Sequence, residues 1–333
     1  MKFQFRDRGS GISPFLPIAT PVSLFHKIGG AWLFLFRLPV FVLCCASFFL
    51  VLDHIAILPI GRKILLWLIL AISGVWWIDL QLDGVKRGSL SQQDPSRFPR
   101  ERAVIAAQFT SPIDALYLAS VFDPIFVISY PGTRKVKRVS LYRAATLALS
   151  PPNIKAPEKG LTDLRTLVND NPRRVIAVFP EMTTTNGKGI LPFSTSLLTT
   201  PPDVKIFPVS LRYTAPDITT PVPGPWWSFL WNLLSRPNHY IRVRIAEGVT
   251  ITNPTNGRSS TDGDGGDNGE SASSRDANER RALVSTDANR EEQMLLDRMG
   301  DSLARLARNK RVNLTLQDKI KFIEAWSNEK KKK

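Results

Sequence analysis

The chain has 333 residues, is 43% hydrophobic and carries a formal net charge of +15. This length can bury a large core, and the charge favours an anionic partner. We favour a membrane surface over nucleic acid, because the basic residues lie next to apolar segments and the sequence contains no motif that reads RNA or DNA.

Cys44 and Cys45, the only cysteines, are adjacent, which excludes a disulfide framework. We interpret them as small buried or lipid-facing side chains in a cytosolic protein, with palmitoylation as the alternative.

Two apolar runs, Ala31 to Leu52 and Ile64 to Ile78, lie in the N-terminal third. Arg37 and Pro39 interrupt the first run, and each uninterrupted stretch is shorter than the roughly 20 residues that a straight helix needs to cross a bilayer. After an N-terminal segment of residues 1–30, the sequence therefore predicts a membrane hairpin over residues 31–80. The hairpin either dips into one leaflet or spans the bilayer twice, and a pair of buried core helices is the alternative.

Basic residues flank this hairpin on both sides. By the positive-inside rule, both of its ends are expected on the cytosolic face. The residues are Lys2, Arg6, Arg8 and Lys27 before the hairpin, and Lys86, Arg87, Arg97, Arg100 and Arg102 after it.

Residues 100–252 alternate short β-branched runs with helical segments, which predicts an α/β domain with a mixed or parallel sheet flanked by helices. Predicted strands are Ala103 to Ala107, Ile125 to Ser129, Val175 to Phe179, Val204 to Arg212 and Tyr240 to Ile245. Predicted helices are Ile113 to Phe122, Leu141 to Leu149, Leu161 to Asn169 and Trp226 to Leu234.

Residues 253–286 are rich in Gly, Ser, Asp and Asn and are predicted to form a disordered insertion. Residues 287–333 are predicted to form C-terminal helices and a basic tail. Leu295, Met299, Leu303 and Leu306 repeat at helical spacing, and a second helix is expected from Gln317 to Trp326. The closing residues 330–333 fit a dilysine retrieval signal for the endoplasmic reticulum or a solvated charge run.

The richest motif, Val178 to Ser194, reads V-F-P-E-M-T-T-T-N-G-K-G-I-L-P-F-S. It is a β-branched run followed by a turn that brings a carboxylate, three hydroxyls, an Asn and a Gly-Lys-Gly to a sheet edge. Its start resembles the F-P-E-G-T block of glycerolipid acyltransferases, and T-T-T-N-G resembles the lysophospholipid branch of that family. Met182 stands in place of Gly, so we expect a different local turn, because a positive φ is costly for Met.

Three further blocks follow the order of the same family. A-A-Q-F-T-S-P-I-D, Ala106 to Asp114, resembles N-H-x-S-x-x-D, with Phe109 in place of the family's catalytic His. K-R-V-S-L-Y-R, Lys137 to Arg143, resembles G-x-x-F-I-x-R and includes Arg138. With the preceding Arg134 and Lys135 it forms a stretch of five cations. I-F-P-V-S-L, which contains Pro208, resembles V-P-V-x-I. The cationic stretch is interpreted either as a phosphate clamp or as a solvated face near anionic lipid.

The resemblance implies a direct attack of an acceptor hydroxyl on acyl-CoA, used as a co-substrate, with no bound cofactor and no metal. Asp114 would orient the base and Ser111 would support the turn. The acceptor's phosphate end would be bound by Arg143, Glu181, Thr183, Asn186, Gly187 and Lys188, and Pro208 would line the pocket. Phe109 cannot accept a proton, so the candidate bases are Asp114 itself with a raised pKa, His54 or His239.

The C-terminal block V-N-L-T-L-Q-D-K-I-K-F-I-E-A-W, Val312 to Trp326, is similar to the fungal lysophosphatidic acid:oleoyl-CoA acyltransferase group of the endoplasmic reticulum and lipid droplets. The resemblance implies a membrane-associated acyltransferase of phospholipid biosynthesis whose acceptor is lysophosphatidic acid or another lysophospholipid. Its catalytic domain would be cytosolic. A catalytically impaired lipid-binding or trafficking protein on the same scaffold is the alternative that Phe109 favours.

Overall fold

The computed structural model describes residues 5–21, 23–52, 59–85, 94–251 and 290–331. The predicted hairpin turn at Asp53 and His54, the predicted insertion 253–286 and the last two lysines lie outside the described residues.

The first apolar run forms a helix that is longer than predicted. Helix α1 spans Leu24–Ser47 and continues through a π-helical turn at Phe48–Leu52. The segment Leu24–Val51 is long and apolar enough to cross a membrane, with a mean hydropathy of 2.3. Arg37 does not break it, because its guanidinium donates to the backbone carbonyls of Arg236 (2.6 Å) and Pro237 (3.1 Å). The prediction that Arg37 interrupts the first apolar run is therefore wrong.

The second run is helical only in its first part. Helix α2 spans Pro59–Ile72, and Val75–Leu82 forms strand β1. Gly74 separates them with a φ of 83°, and an added Cβ there would lie 2.9 Å from the carbonyl oxygen of Pro237. The helix predicted to Ile78 is thus wrong at its end, where β-branched and aromatic residues pair in a sheet.

The central sheet has eight strands in the order β1-β9-β8-β2-β6-β3-β4-β5. The strands after β1 are β2 Val104–Ala107, β3 Ile125–Ser129, β4 Val136–Val139, β5 Leu161–Thr162, β6 Ile176–Val178, β8 Ile206–Tyr213 and β9 His239–Ile245. Strands β7 (Gly189–Ile190) and β10 (Lys310–Arg311) form a separate parallel pair. Parallel and antiparallel pairs both occur, so the predicted mixed sheet is confirmed.

Helices cover both faces of the sheet. They are α3 Pro112–Phe122, α4 Leu141–Leu147, α5 Leu164–Asp170, α6 Trp226–Leu234, α7 Arg290–Ala307 and α8 Leu316–Lys331. Residues of α2, α3, α4 and α6 share one core cluster, and residues of α5 and α7 share another on the opposite face. Helix α7 buries Leu296, Met299, Leu303 and Leu306, so the predicted amphipathic helix is present with Leu296, not Leu295, as the buried leucine of its second turn.

The arrangement brings two loops to one edge of the sheet. Strand β2 is parallel to both β6 and β8 and lies between them. All residues of β2 and β6 are buried, which is typical of strands covered on both faces. The loops that follow the carboxyl ends of these strands, residues 108–111 and 179–188, therefore meet, and in open α/β sheets this edge is the usual place for a ligand.

Candidate functional site

The loop after β2 is fixed by the side chain that was predicted to orient the base. Ser111 is the N-cap of α3, and Asp114 completes a capping box. One carboxylate oxygen of Asp114 accepts hydrogen bonds from the Thr110 amide (2.6 Å), the Thr110 hydroxyl (3.0 Å) and the Ser111 amide (2.9 Å). The Ser111 hydroxyl donates to the carbonyl of Ile218 at 2.9 Å.

The other carboxylate oxygen of Asp114 accepts a hydrogen bond from the phenol of Tyr213. Both side chains are buried. Burial raises the pKa of Asp114 to about 6, although the bonds from Tyr213, Thr110 and Ser111 favour the charged form and oppose this rise. Asp114 therefore has the raised pKa expected of a candidate base, but four donors already occupy its two oxygens.

Phe109 occupies the position of the family's histidine and packs as a core residue. Its side chain is 1% exposed and stacks on Phe179 with 4.3 Å between ring centroids. Among the described histidines, His239 is bonded through Nε2 to the carbonyl of Leu233 (2.8 Å) and His26 through Nδ1 to the Ser23 hydroxyl (2.8 Å). Neither of these two has a hydrogen bond to Asp114, and His54 lies outside the described residues.

The turn after β6 adopts the conformation that Met182 was expected to prevent. Met182 has a φ of 58°, in the left-handed region, and its amide donates to the carbonyl of Phe179 at 3.1 Å. The strain of a non-glycine residue there is about 1–2 kcal/mol. The surrounding packing offsets this strain, so the substitution changes the residue and leaves the positive φ in place.

Glu181, predicted to hold the acceptor's head group, is buried beneath this turn. One carboxylate oxygen lies 3.4 Å from the Leu191 amide, and the other has no hydrogen-bond partner among the described residues. Burial raises the pKa of Glu181 well above its usual range. The role of Glu181 in holding the head group therefore stays a prediction for a buried side chain with one unpartnered oxygen.

Lys319 of α8 supports the same turn, and the sequence interpretation missed it. Its ammonium group is buried and donates to the carbonyl (2.6 Å) and the hydroxyl (2.8 Å) of Thr184. Burial lowers the pKa of Lys319 to about 7, while the nearby carboxyl of Glu181 opposes that shift. In the sequence, Lys319 looked like any lysine of a polar helix, and only its position in the C-terminal block marked it.

Two cavities open at this edge of the sheet. The first, which we call the Phe109 pocket, has a volume of about 380 Å³. Its cations are Lys137, Arg143 and Lys155, and none of the described residues that line it is acidic. Phe109, Ile128, Val139, Leu147, Met182 and Thr183 are among its other walls.

The second cavity, which we call the Arg212 pocket, has a volume of about 410 Å³. It is lined by Thr110, Asn186, Gly187, Lys188, Arg212, Tyr213 and Arg242, among others. The amide of Thr185 donates to the carbonyl of Phe109 at 3.1 Å, so the two loops are joined and form the wall between the cavities.

The predicted binding residues are thus divided between the two cavities. Arg143 and Thr183 line the Phe109 pocket, whereas Asn186, Gly187 and Lys188 line the Arg212 pocket. The amide group of Asn186 also donates to the carbonyls of Ser13 (2.8 Å) and Leu16 (2.9 Å), which ties the N-terminal segment to this loop.

Two further predicted positions lie away from the cavities. Pro208 is buried within β8 opposite Ala106 and lines neither of them. Arg134, part of the cationic stretch, forms a two-point ion pair with Glu292 of α7 at 2.9 and 2.8 Å. Lys137 and Arg143 are therefore the cations of that stretch that face the Phe109 pocket.

Comparison with known proteins gives two similar chains. A protein of Schizosaccharomyces pombe named putative lysophosphatidic acid:oleoyl-CoA acyltransferase is 27% identical over 256 residues, which cover 73% of this chain and 82% of that protein. Lysophosphatidic acid:oleoyl-CoA acyltransferase 1 of Saccharomyces cerevisiae is 27% identical over 198 residues, which cover 57% of this chain and 59% of that protein. No family model and no solved structure matches the chain. The two similarities support the relationship to this fungal group that the motifs indicated.

Proposed function

We propose that this chain is a membrane-associated acyltransferase that transfers the acyl group of an acyl-CoA to a lysophospholipid, with lysophosphatidic acid as the preferred acceptor. The observation that carries the proposal is the Phe109 pocket, where three cations surround a partly apolar cavity at the edge of the sheet where the motif loops meet. The names of both relatives agree with this substrate pair.

The chemistry of the pocket suits a phosphate monoester attached to an acyl chain. A guanidinium group such as that of Arg143 can bind a phosphate through two parallel hydrogen bonds, and Lys137 and Lys155 add point charges. Ile128, Val139 and Leu147 provide apolar walls on the same cavity. One site can therefore bind both ends of a lysophospholipid.

In the reaction, the acceptor hydroxyl attacks the thioester carbonyl of acyl-CoA. A C–O bond forms, the C–S bond breaks, and the hydroxyl proton leaves with the thiol of CoA or passes to water. Phe109 cannot take this proton, so catalysis rests on orientation and on the electrostatic stabilisation by the cations. General-base assistance is worth about 10²- to 10⁴-fold, and we expect turnover to be slower than in a histidine-containing enzyme by about that factor.

The proposed location is the membrane of the endoplasmic reticulum or the surface of a lipid droplet, with the α/β domain in the cytosol. Helix α1 supports membrane association, because large apolar side chains on it are exposed, including Leu24, Phe25, Trp32, Phe36 and Leu43. A soluble domain seldom exposes so continuous an apolar surface.

The decisive experiment measures transfer of labelled oleate from oleoyl-CoA to lysophosphatidic acid by the full chain purified in detergent. Arg143→Gln should raise the KM for the acceptor by about 10- to 100-fold, because a hydrogen bond to a charged group contributes about 1.5–3 kcal/mol. Arg165→Gln is the matched control, since Arg165 is an exposed arginine of α5 outside the pocket. Absence of transfer to any lysophospholipid, or an Arg143→Gln variant that behaves like the control, would contradict the proposal.

The buried Phe109 favours a second candidate function, a lipid-binding protein without turnover. In that case the purified chain binds lysophosphatidic acid with no product formed, and Phe109→His in the same assay creates activity. Wild-type transfer that Arg143→Gln weakens would reject this candidate.

A further inference from the structure

The Arg212 pocket has the charge of an anion site. Three cations, Lys188, Arg212 and Arg242, line it, and none of the described residues that line it is acidic. The hydroxyl of Thr214 also lines the cavity and adds an uncharged donor, whereas the hydroxyls of Thr110 and Thr219 already donate to Asp114 and to the carbonyl of Pro216.

The strand register explains why this positive charge is concentrated. Arg212 of β8 lies directly opposite Arg242 of β9, and Asp79 of β1 lies beside Arg242 on the other side. Like charges directly opposite each other on antiparallel strands are destabilising. Asp79 accepts a hydrogen bond from Arg242 Nε at 2.9 Å, but one carboxylate balances only one of the two arginines.

Further cations add to this excess of positive charge. Arg244 follows on the same strand, and its pKa is lowered by burial and then by the charges of Arg308, Arg242 and Arg212. Arg212 and Arg244 each donate to a carbonyl at the C-terminal end of α7, at Ala307 and Leu306. The bond from Arg212 uses one donor, and a guanidinium group has five, so Arg212 keeps donors for a ligand. Arg244 also donates to Gln81 and does not line the pocket.

The next row on the same face of the sheet is aromatic. Trp77 of β1 pairs with Tyr240 of β9, two residues before the pair formed by Asp79 and Arg242. Because strand side chains alternate, both rows project from one face, and Trp77 and Tyr240 are 65% and 47% exposed. Trp and Tyr are the residues enriched at the level of lipid headgroups.

The N-terminal segment leads from the same pocket to the start of α1, whose first residue, Leu24, lines another cavity together with Tyr240. Ile18 lines the cavity, and α1 begins shortly afterwards at Leu24 with exposed apolar side chains. An aromatic row, a cationic row and the start of α1 thus lie together. This is the order of groups expected where a protein meets an anionic bilayer surface.

We propose that the Arg212 pocket binds the phosphate headgroup of an anionic phospholipid in the bilayer that holds α1. This inference rests on the membrane association proposed above, and it assigns the Arg212 pocket a ligand separate from the acceptor in the Phe109 pocket. The headgroup phosphate lies between Arg212 and Arg242, Lys188 closes the cavity, and the glycerol and acyl parts remain at the level of Trp77 and Tyr240.

The test titrates the full chain, held in neutral detergent, with dioctanoyl phosphatidic acid and with dioctanoyl phosphatidylcholine. Every protein also carries Arg143→Gln, so that binding in the Phe109 pocket is weakened throughout. We expect phosphatidic acid to bind, and Arg212→Gln to weaken that binding by about fivefold, since each cation near an anionic lipid surface contributes about that factor. The double variant with Lys188→Gln should lose about a further fivefold.

Two controls keep the result interpretable. Lys205→Gln removes an exposed cation at the start of β8, outside the pocket, and should bind like the parent protein. Arg212→Lys keeps the charge and should bind more tightly than Arg212→Gln, which separates a charge effect from a loss of folded protein. Circular dichroism of each variant checks the fold.

Equal affinity of the Arg212→Gln protein and its parent for phosphatidic acid would overturn the proposal. Displacement of the lipid by inorganic phosphate at the concentration of lipid itself would also overturn it, because the site would then select a soluble phosphate. Acyl transfer is measured separately on proteins with Arg143 intact, so a failure at the Arg212 pocket and a failure of the proposed reaction give different results.

Discussion

The two cavities have nearly the same volume, about 380 and 410 Å³, yet the wall between them presents different chemistry to each. Towards the Phe109 pocket it shows an aromatic ring that cannot exchange a proton. Towards the Arg212 pocket it shows Thr110 and Tyr213, both of which are bonded to the buried Asp114. The motif that resembles a catalytic block therefore has its carboxylate bonded within the fold, and Asp114 lines neither of the two cavities.

Substituting Asp114, which supports the loop between the two cavities, should have the largest effect. Asp114→Ala leaves the Thr110 amide, the Ser111 amide and the Tyr213 phenol buried without an acceptor, and each unsatisfied group is unfavourable by about 1–3 kcal/mol. We expect the free energy of unfolding to fall by about 3–5 kcal/mol, measured by denaturant unfolding in detergent. Acyl transfer and phosphatidic acid binding should both decline, and a decline in only one of them would show that the wall does not couple the cavities.

A substitution of Phe109 should separate the cavities. Phe109→Leu removes the stack on Phe179 and part of the floor of the Phe109 pocket. We expect a loss of about 1–2 kcal/mol of stability and a changed acyl-chain preference in the transfer assay. Phosphatidic acid binding should remain within about twofold, because Phe109 does not line the Arg212 pocket. Equal effects on acyl transfer and on phosphatidic acid binding would contradict this separation, because the Phe109 ring would then affect both cavities.

The last prediction is a pH dependence from Lys319, which supports the Phe109 side of the wall through Thr184. Its folded-state pKa, about 7, is below its ordinary value of 10.5, so between these pH values the unfolded chain binds a proton that the folded chain does not. Stability should therefore rise with pH from about 7 to 10.5, by at most about 1.4 kcal/mol per pH unit. The difference in unfolding free energy between wild type and Lys319→Met, measured across this range, isolates the lysine. An equal slope in both proteins would contradict the assignment.

Local sequence patterns correctly predicted the helices and strands whose type does not depend on distant residues. Strand β3 and helix α6 have the bounds that were predicted, because β-branched runs and helical periodicity decide them within a short window. Strand β1 was missed because V-W-W-I continues an apolar run, and its partner β9 begins only at His239. Arg37 was misinterpreted for a related reason, since the carbonyls that accept its hydrogen bonds belong to Arg236 and Pro237.

The candidate site likewise has features that the sequence predicted and features that it did not. The resemblance implied roles for residues of both motif blocks in one site, and loops 108–111 and 179–188 do meet. Sequence proximity could not show that Thr183 and Asn186 face different cavities, because that depends on where the wall formed by Thr185 and Phe109 lies. The sequence also did not predict that Glu181, which resembled a ligand-binding residue, would be buried.

The bond between Lys319 and Thr184 has a consequence for the order of folding. It joins residues 135 positions apart, so the support of the turn arrives only after the ribosome has added everything between them and the chain has closed a long loop. During synthesis the sheet edge can form before this support is present, and the turn at Met182 is then held only by its nearer contacts. Lengthening the segment between α6 and α8 should disturb this closure little, because each doubling of a flexible loop is unfavourable by only about 0.6 kcal/mol.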